Sequence, residues 1–238
     1  MTAILEFRDV GFAVPRSNIL KNVNFSVESG ESVFLSGKSG AGKSTLLKLA
    51  AGIQYQTSGD IMIQGVSLKA ANNAQLLDLH VQSGYLFQDS ALISNMTIFD
   101  NLALPLRYHN RGTEYEIRER VEGLLERMDL MEDRNNRPAA LSMGEQRVAG
   151  LARALIMSPP LIYMDEPLAN LDRVRVQLVK TIMRELVAQG TTLVVISHEA
   201  EFVREFASRF WLLAAGTIDK DLRFTEDPES KKILSEIM

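Results

Sequence analysis

The chain has 238 residues, 46% of them hydrophobic and 24% charged, with a formal net charge of −4. That balance suits one large α/β domain, or a core with a small subdomain, and its lack of a basic excess argues against a nucleic-acid partner. Cysteine is absent, which excludes disulfides and thiolate zinc sites. No apolar run approaches the ~20 residues that span a bilayer, and the acid-bearing start MTAILEFRDV has no signal-peptide core. The expectation is a cytosolic protein, or one held at a membrane by a partner.

The first 36 residues read as β. Ile4–Phe7 and Val23–Val27 alternate apolar and polar residues, as half-buried strands do. Val33-Phe34-Leu35 is a short apolar strand running into a glycine-rich loop, and residues 45–51 continue as a helix. Ile61-Met62-Ile63 before Gly65 reads as another strand. From about Thr97 to Met157 the pattern is helical: Ile117, Val121, Leu124, Leu125 and Met128 share a face, Asn135 to Pro138 breaks the chain, and a second helix runs from Gly144 to Met157. β/α alternation then returns. Strands are expected at Leu161–Met164, Leu193–Ile196, Phe210–Leu213 and Gly216–Ile218, with helices at Val174–Val187 and Glu199–Phe206. The first of these helices shows a stripe of Val174, Leu178, Ile182 and Leu186. Such alternation implies a mostly parallel sheet covered by helices. Asp227-Pro228 is a cap pair for a short last helix.

Three stretches carry chemistry. Gly37-Lys38-Ser39-Gly40-Ala41-Gly42-Lys43-Ser44-Thr45 matches G-x-x-x-x-G-K-[ST] between a strand and a helix, the setting of a P-loop. Glycines let the backbone wrap a phosphate, and loop amides with the helix N-terminus point at the anion. Lys43 is expected to reach the β/γ-phosphates, and the Ser44 hydroxyl to ligate Mg²⁺. Second, the apolar run Leu161-Ile162-Tyr163-Met164 ends in Asp165-Glu166. Alternation along a strand would send these carboxylates apart, Asp165 toward Mg²⁺ and Glu166 toward an attacking water. Alone, the pair reads better as a solvated acidic turn after a core strand; beside a P-loop it reads as a site. Third, Ser197-His198 follows a buried strand. His198 suits a turn residue, or, opposite a nucleotide, a γ-phosphate contact. His80 and His109 have no such setting and read as structural.

Together these stretches resemble ABC-transporter nucleotide-binding subunits over essentially the whole length. Walker A is Gly37–Ser44, the Q-loop glutamine is Gln88 in YLFQDS, and the signature is Leu141-Ser142-Met143-Gly144-Glu145. Walker B ends at Asp165, the D-loop is Ala169-Asn170-Leu171-Asp172, and the switch histidine is His198. The resemblance implies a P-loop NTPase with a RecA-like core, an N-terminal antiparallel β lobe and a helical subdomain at about residues 90–157. It also implies ATP and Mg²⁺ as cofactors, Glu166 as general base, and Ser44, Gln88 and Asp165 around the metal. ATP would bind at a homodimer seam, with Walker A of one chain facing Ser142 and Gly144 of the other. Three residues depart from the pattern. Met143 replaces the first signature glycine and Glu145 the glutamine. Val14 stands where many members place an aromatic ring on the adenine, leaving Phe12 as another source of a ring; Val14 suits a β-lobe core equally.

The segment from Phe87 to Arg107 resembles the ATPases of Mla/Mce lipid-transport systems, and in a looser form the lipoprotein-release and cell-division groups. That implies integral membrane permease subunits as partners, small regulatory or lipid-binding subunits, and a peripheral place at the cytoplasmic face of the inner membrane. Leu92, Ile93, Phe99 and Leu102 in this segment equally suit a subdomain core. The alternative function is an ATP-driven regulator that works a membrane partner without transport. A DNA-maintenance ATPase is disfavoured, because no long heptad segment separates Walker A from the signature.

Overall fold

The computed structural model describes residues 3–224; the short helix expected at Asp227-Pro228 lies outside them. In chain order the elements begin with β1 (Ala3–Val14), β2 (Ser17–Glu28), β3 (Ser32–Ser36), α1 (Lys43–Ala50), β4 (Ser58–Ile63), β5 (Val66–Ser67) and α2 (Asn73–Val81). There follow β6 (Ser83–Leu86), α3 (Ile98–Tyr108), α4 (Glu114–Arg127), a 3-10 turn at Pro138–Ala140 and α5 (Met143–Leu155). The chain continues with β7 (Leu161–Asp165), α6 (Arg173–Ala188), β8 (Thr192–Ile196), α7 (Ala200–Phe206), β9 (Arg209–Ala214) and β10 (Thr217–Arg223). The fold is mixed α/β. The chain divides into two compact units, Met1–His80 with Leu186–Met238, and Val81–Glu185.

In the first unit, β2, β1, β4 and β5 pair in that order, antiparallel throughout, as the expected β lobe. Both long strands exceed their sequence-read cores because β1 is bulged. Leu5, Phe7, Val10 and Phe12 are all buried, although the step from Phe7 to Val10 breaks the two-residue period. The register shifts there, and the Asn24 side chain accepts from the Asp9 amide at 2.8 Å, holding the extra residue in place. In the same unit β3 runs parallel to both β8 and β9, and β10 closes an antiparallel hairpin on β9. Phe25 stacks between Phe7 and Trp211, at 4.3 and 4.2 Å between ring centroids. Beside them the Arg209 guanidinium pairs with Asp221 at 2.7 and 2.5 Å, donates to the Ser26 carbonyl at 2.6 Å and lies over the Trp211 ring. One buried cation thereby joins β9, β10 and β2 with its hydrogen-bonding capacity well used.

In the second unit β6 and β7 pair in parallel. β6 was not legible as a strand: it is only SGYL, too short and polar for a pattern. Its Gly84 is selected by space, since a Cβ there would lie 2.3 Å from the Ala154 carbonyl of α5. Thr97 caps α3, and Thr113 with Glu116 forms a capping box on α4. Of the expected α4 face, Ile117, Val121, Leu125 and Met128 are buried and Leu124 flanks them half-buried. The expected α6 stripe is corrected. Val174 is 77% exposed, and the buried positions are Val179, Ile182 and Met183. Residues four apart rotate by about 40° per step on a helix, so four of them in a row leave any one face.

Two glycines separate space from conformation. Gly59 adopts φ +77°, and a Cβ would sit 2.3 Å from the Asp9 carbonyl; Gly123, inside α4, has open space around it. Gly59→Ala should therefore destabilise the fold by at least ~2 kcal/mol. Gly123→Ala should stabilise it by about 1 kcal/mol through helix propensity. Urea unfolding followed by circular dichroism reads both, and equal midpoints for the two variants would contradict the assignment.

Candidate functional site

In the first unit the fully buried strand β3 delivers the chain into the P-loop. Gly37, with φ +150°, passes so close to β9 that a Cβ would lie 2.3 Å from the Leu213 carbonyl. Lys38, Ser39 and Gly40 stand exposed beyond it. Helix α1 starts at Lys43 behind Gly42, which is left-handed and supplies no side-chain cap. The first-turn amides, Ser44 and Thr45 among them, thus lack side-chain capping at the end that carries positive partial charge. Lys43 is nearly buried, and its Nζ donates to the carbonyls of Gly37 at 2.8 Å and Lys38 at 3.1 Å. The cation is held within its own loop. β8 ends beside β3, so Ser197 is buried while His198 stands exposed, its Nδ1 3.4 Å from Ser36 Oγ. A cavity of about 910 Å³ is lined by Ser36, Gly37–Ala41, His198 and Leu212–Ala215. The structure therefore brings the P-loop and His198 together, as expected. Val14, at the end of β1, is 39% exposed and is no core residue, whereas Phe12 is buried.

In the second unit the two carboxylates of the expected pair lie in different local structure. β7 ends at Asp165, which is 3% exposed. Glu166 is already off the strand, half-buried with φ +54°. A left-handed backbone at a non-glycine residue is uncommon and is typical of functional turns. Asn170 in the D-loop repeats this feature with φ +63°. Gln88 follows β6 and is exposed, and the chain after it reverses through Ser90 and Ala91, at φ +61° and +46°.

Helix α5 opens on the signature. Ser142 caps it: its hydroxyl and amide both donate to Glu145 Oε2 at 2.8 Å, and its Oγ accepts from the Glu145 amide at 3.3 Å. Met143 points outward, 66% exposed. Gly144 is buried, and a Cβ there would lie 3.1 Å from the Asn170 carbonyl. Arg175 joins the two loops, reaching Glu145 Oε1 at 2.7 Å and Asp172 Oδ2 at 2.5 Å. The hydrogen bonds from Ser142, helped by the charge of Arg175, hold the Glu145 carboxyl below its ordinary pKa. Hydrogen bonds from the amide and guanidinium of Arg175 do the same for Asp172.

The profile of the ABC transporter family matches residues 20–169, more than half of the sequence. The chain belongs to the ABC transporter family. Cell division ATP-binding protein FtsE of Escherichia coli K12 is 35% identical over 197 residues, 83% of this chain and 88% of that protein. Methionine import ATP-binding protein MetN of Clostridioides difficile is 31% identical over 216 residues, 90% of this chain and 67% of that one. Among solved structures, the dimeric post-hydrolysis state of the ATP-binding cassette MJ0796, bound to ADP and Pi, superposes with a TM-score of 0.87. It is 29% identical and covers 93% of this chain and 99% of that one. The chain is thus the ATP-binding subunit of an ABC transporter, and an ATPase.

Several residues of this ABC ATPase escaped the sequence reading because their partners are remote. Arg175 meets Glu145 across 30 positions. Arg147, 3% exposed on α5, donates to the Phe87 carbonyl at 2.6 Å across 60. Burial lowers the pKa of Arg147 against the opposing charges of Asp165, Glu166 and Asp89. Asn101, by contrast, has near partners: fully buried on α3, it accepts from the Ile93 amide at 2.7 Å and donates to the Thr97 carbonyl at 2.9 Å, fixing the loop before α3.

The capping box at the signature should make stability pH-dependent. Glu145 has a depressed folded pKa, so its contribution is complete above the unfolded value and is lost as pH falls through the folded one. Wild type should exceed Glu145→Gln in stability near pH 7, and the gap should close as pH drops from about 5 to about 3. Chemical denaturation across that range measures it; a gap independent of pH would show that the carboxylate charge contributes nothing.

Proposed function

We propose that this chain is the ATP-hydrolysing subunit of a bacterial inner-membrane lipid transporter. It is one ABC ATPase domain over residues 1–238, with its helical subdomain at about 90–157. It dimerises with a second copy on binding ATP and Mg²⁺, and sits at the cytoplasmic face of the membrane through integral permease subunits, with small regulatory or lipid-binding subunits. The observation that carries the lipid reading is the segment from Phe87 to Arg107, which resembles lipid-transport ATPases and whose Leu92, Ile93 and Phe99 are only half-buried. Leu102 is fully buried and belongs to the subdomain core. The similarity to FtsE supports the second reading, a regulator that works a membrane partner without transport.

The roles follow from the side chains. Gly37 to Thr45 wrap the phosphates with loop and first-turn amides, and Lys43 adds a charge-assisted contact. The Ser44 hydroxyl, Gln88 amide oxygen and Asp165 carboxylate are the hard oxygen donors that Mg²⁺ prefers; Mg²⁺ supplies neutralisation of phosphate charge. Glu166, turned off β7, accepts a proton from the attacking water, and His198 holds the γ-phosphate. Ser142 and Gly144 serve the partner copy's nucleotide. Val14 offers the adenine an aliphatic surface without an aromatic platform.

Glu166→Gln should keep ATP binding while turnover falls by ~10²-fold or more, whereas Lys43→Ala should weaken binding itself. Wild-type turnover in Glu166→Gln would rule out the base. Mixing Lys43→Ala with Ser142→Arg chains should restore one intact site per dimer and hence activity; no recovery, with a rate first order in protein, would contradict action in trans.

A charged residue at Leu92 or Phe99 should abolish assembly with the membrane subunit and spare nucleotide binding. Purifying the complex from membranes and identifying bound molecules by mass spectrometry tests the cargo. Enriched phospholipid supports transport of lipid; a membrane partner without it favours the regulatory reading.

A further inference from the structure

Three positions on α5 grip the chain just after β6. Arg147 Nη1 donates to the Phe87 carbonyl at 2.6 Å. One turn on, Gly150 lies under the loop, where a Cβ would meet Ser90 Cβ at 3.0 Å and Ser90 Cα at 3.2 Å. A further turn on, Arg153 donates to the carbonyls of Ala91 at 2.7 Å and Ser90 at 3.0 Å. Spacing of three residues makes each of them the helix-surface neighbour of the next. The loop they hold contains consecutive left-handed residues, Ser90 and Ala91, a conformation that persists only when its surroundings enforce it. Gln88 stands exposed between these anchor points.

Arg147 is the anchor next to Gln88. The Phe87 carbonyl belongs to the peptide plane that includes the Gln88 nitrogen, so a hydrogen bond on that oxygen fixes the plane from which the Gln88 side chain departs. Arg147 is 3% exposed, and a charged group is buried at substantial cost unless it is matched. Its bond to a neutral carbonyl is charge-assisted and short. The same helix opens at Ser142, the cap, so the signature and the Phe87 carbonyl are fastened to one rigid rod little more than a turn apart.

We propose that Arg147 is a positioning residue for ATP hydrolysis, holding the Phe87–Gln88 peptide to the signature helix so that the Q-loop follows any movement of that helix. This rests on the reading of Gln88 as a γ-phosphate and metal contact. In this role Arg147 acts through Gln88. Arg153 and Gly150 fix the far side of the loop, leaving the Gln88 side chain as the part free to respond.

The test is a double-mutant cycle on the purified full-length chain, with steady-state ATPase as readout. Arg147→Met should lower kcat about tenfold with KM for ATP changed less than about twofold, the size expected of a contact between coupled residues. Arg147→Lys, whose ammonium still donates to the carbonyl, should recover part of that loss. In a Gln88→Ala background, Arg147→Met should cost almost nothing further. An equal loss in both backgrounds, or a loss not relieved by lysine, overturns the proposal, because a general effect on packing would add independently. If Arg147→Met does not fold, the cycle is run with Arg147→Lys, and the same non-additivity is required. A Gln88→Ala chain with wild-type kcat would instead refute the reading of Gln88, and Glu166→Gln separately reports on the general base.

Discussion

A backbone that binds phosphate must leave amide donors unused by the fold, and α1, which follows the P-loop, lacks the side-chain cap that three other helices have. α3, α4 and α5 each begin with a hydroxyl side chain that takes a first-turn amide: Thr97, Thr113 and Ser142. α1 begins with Gly42, which has no side chain to offer. The difference follows from residue type. Threonine or serine at the cap satisfies a donor that a helix end would otherwise expose, worth about 1 kcal/mol. Glycine forgoes that and permits the left-handed turn that brings the chain around an anion. The rest of the P-loop serves the same end, with Lys43 recruited by the carbonyls of Gly37 and Lys38.

The second unit is organised by α5. Its first turn is the signature, its middle is buried, and its Arg147, Gly150 and Arg153 hold the chain after β6. At its opening, Arg175 ties the Glu145 of the capping box to Asp172. Guanidinium groups suit this work because several rigidly placed donors can serve carbonyls and carboxylates that no single secondary-structure element would unite. The replacement of a signature glycine by Met143 leaves this arrangement intact, since the side chain points away from it, 66% exposed.

Left-handed residues lie at several turns of the same unit, Glu166, Asn170, Ser90 and Ala91 among them. Each costs conformational energy that neighbouring contacts must offset. Glu166 takes that backbone just beyond β7, whereas Asp165 remains at the buried end of the strand. Function and local strain therefore coincide at the residue proposed as the base.

Much of the site was legible because its chemistry lies in consecutive residues. Gly37 to Thr45 encode loop, cation and helix start together, Asp165-Glu166 ends an apolar run, and Ser197-His198 ends another. Strand and helix order followed from periodicity, and the β lobe from alternation. The reading failed where a contact from elsewhere in the chain set the outcome. The bulge at Asp9 is held by Asn24, β6 exists because Gly84 fits under Ala154, and the exposed side of α6 falls at Val174 because Val179, Ile182 and Met183 meet the core. Arg147 and Arg175 carry no local signal of their partners, a carbonyl 60 positions away and a carboxylate 30 positions away. Sequence alone determined which residues can bind phosphate, carry charge or break a strand, because those are properties of side chains and of adjacent peptide units. Only the tertiary structure decided which cations are buried and what they hold, because a hydrogen bond between distant residues has no local pattern to announce it.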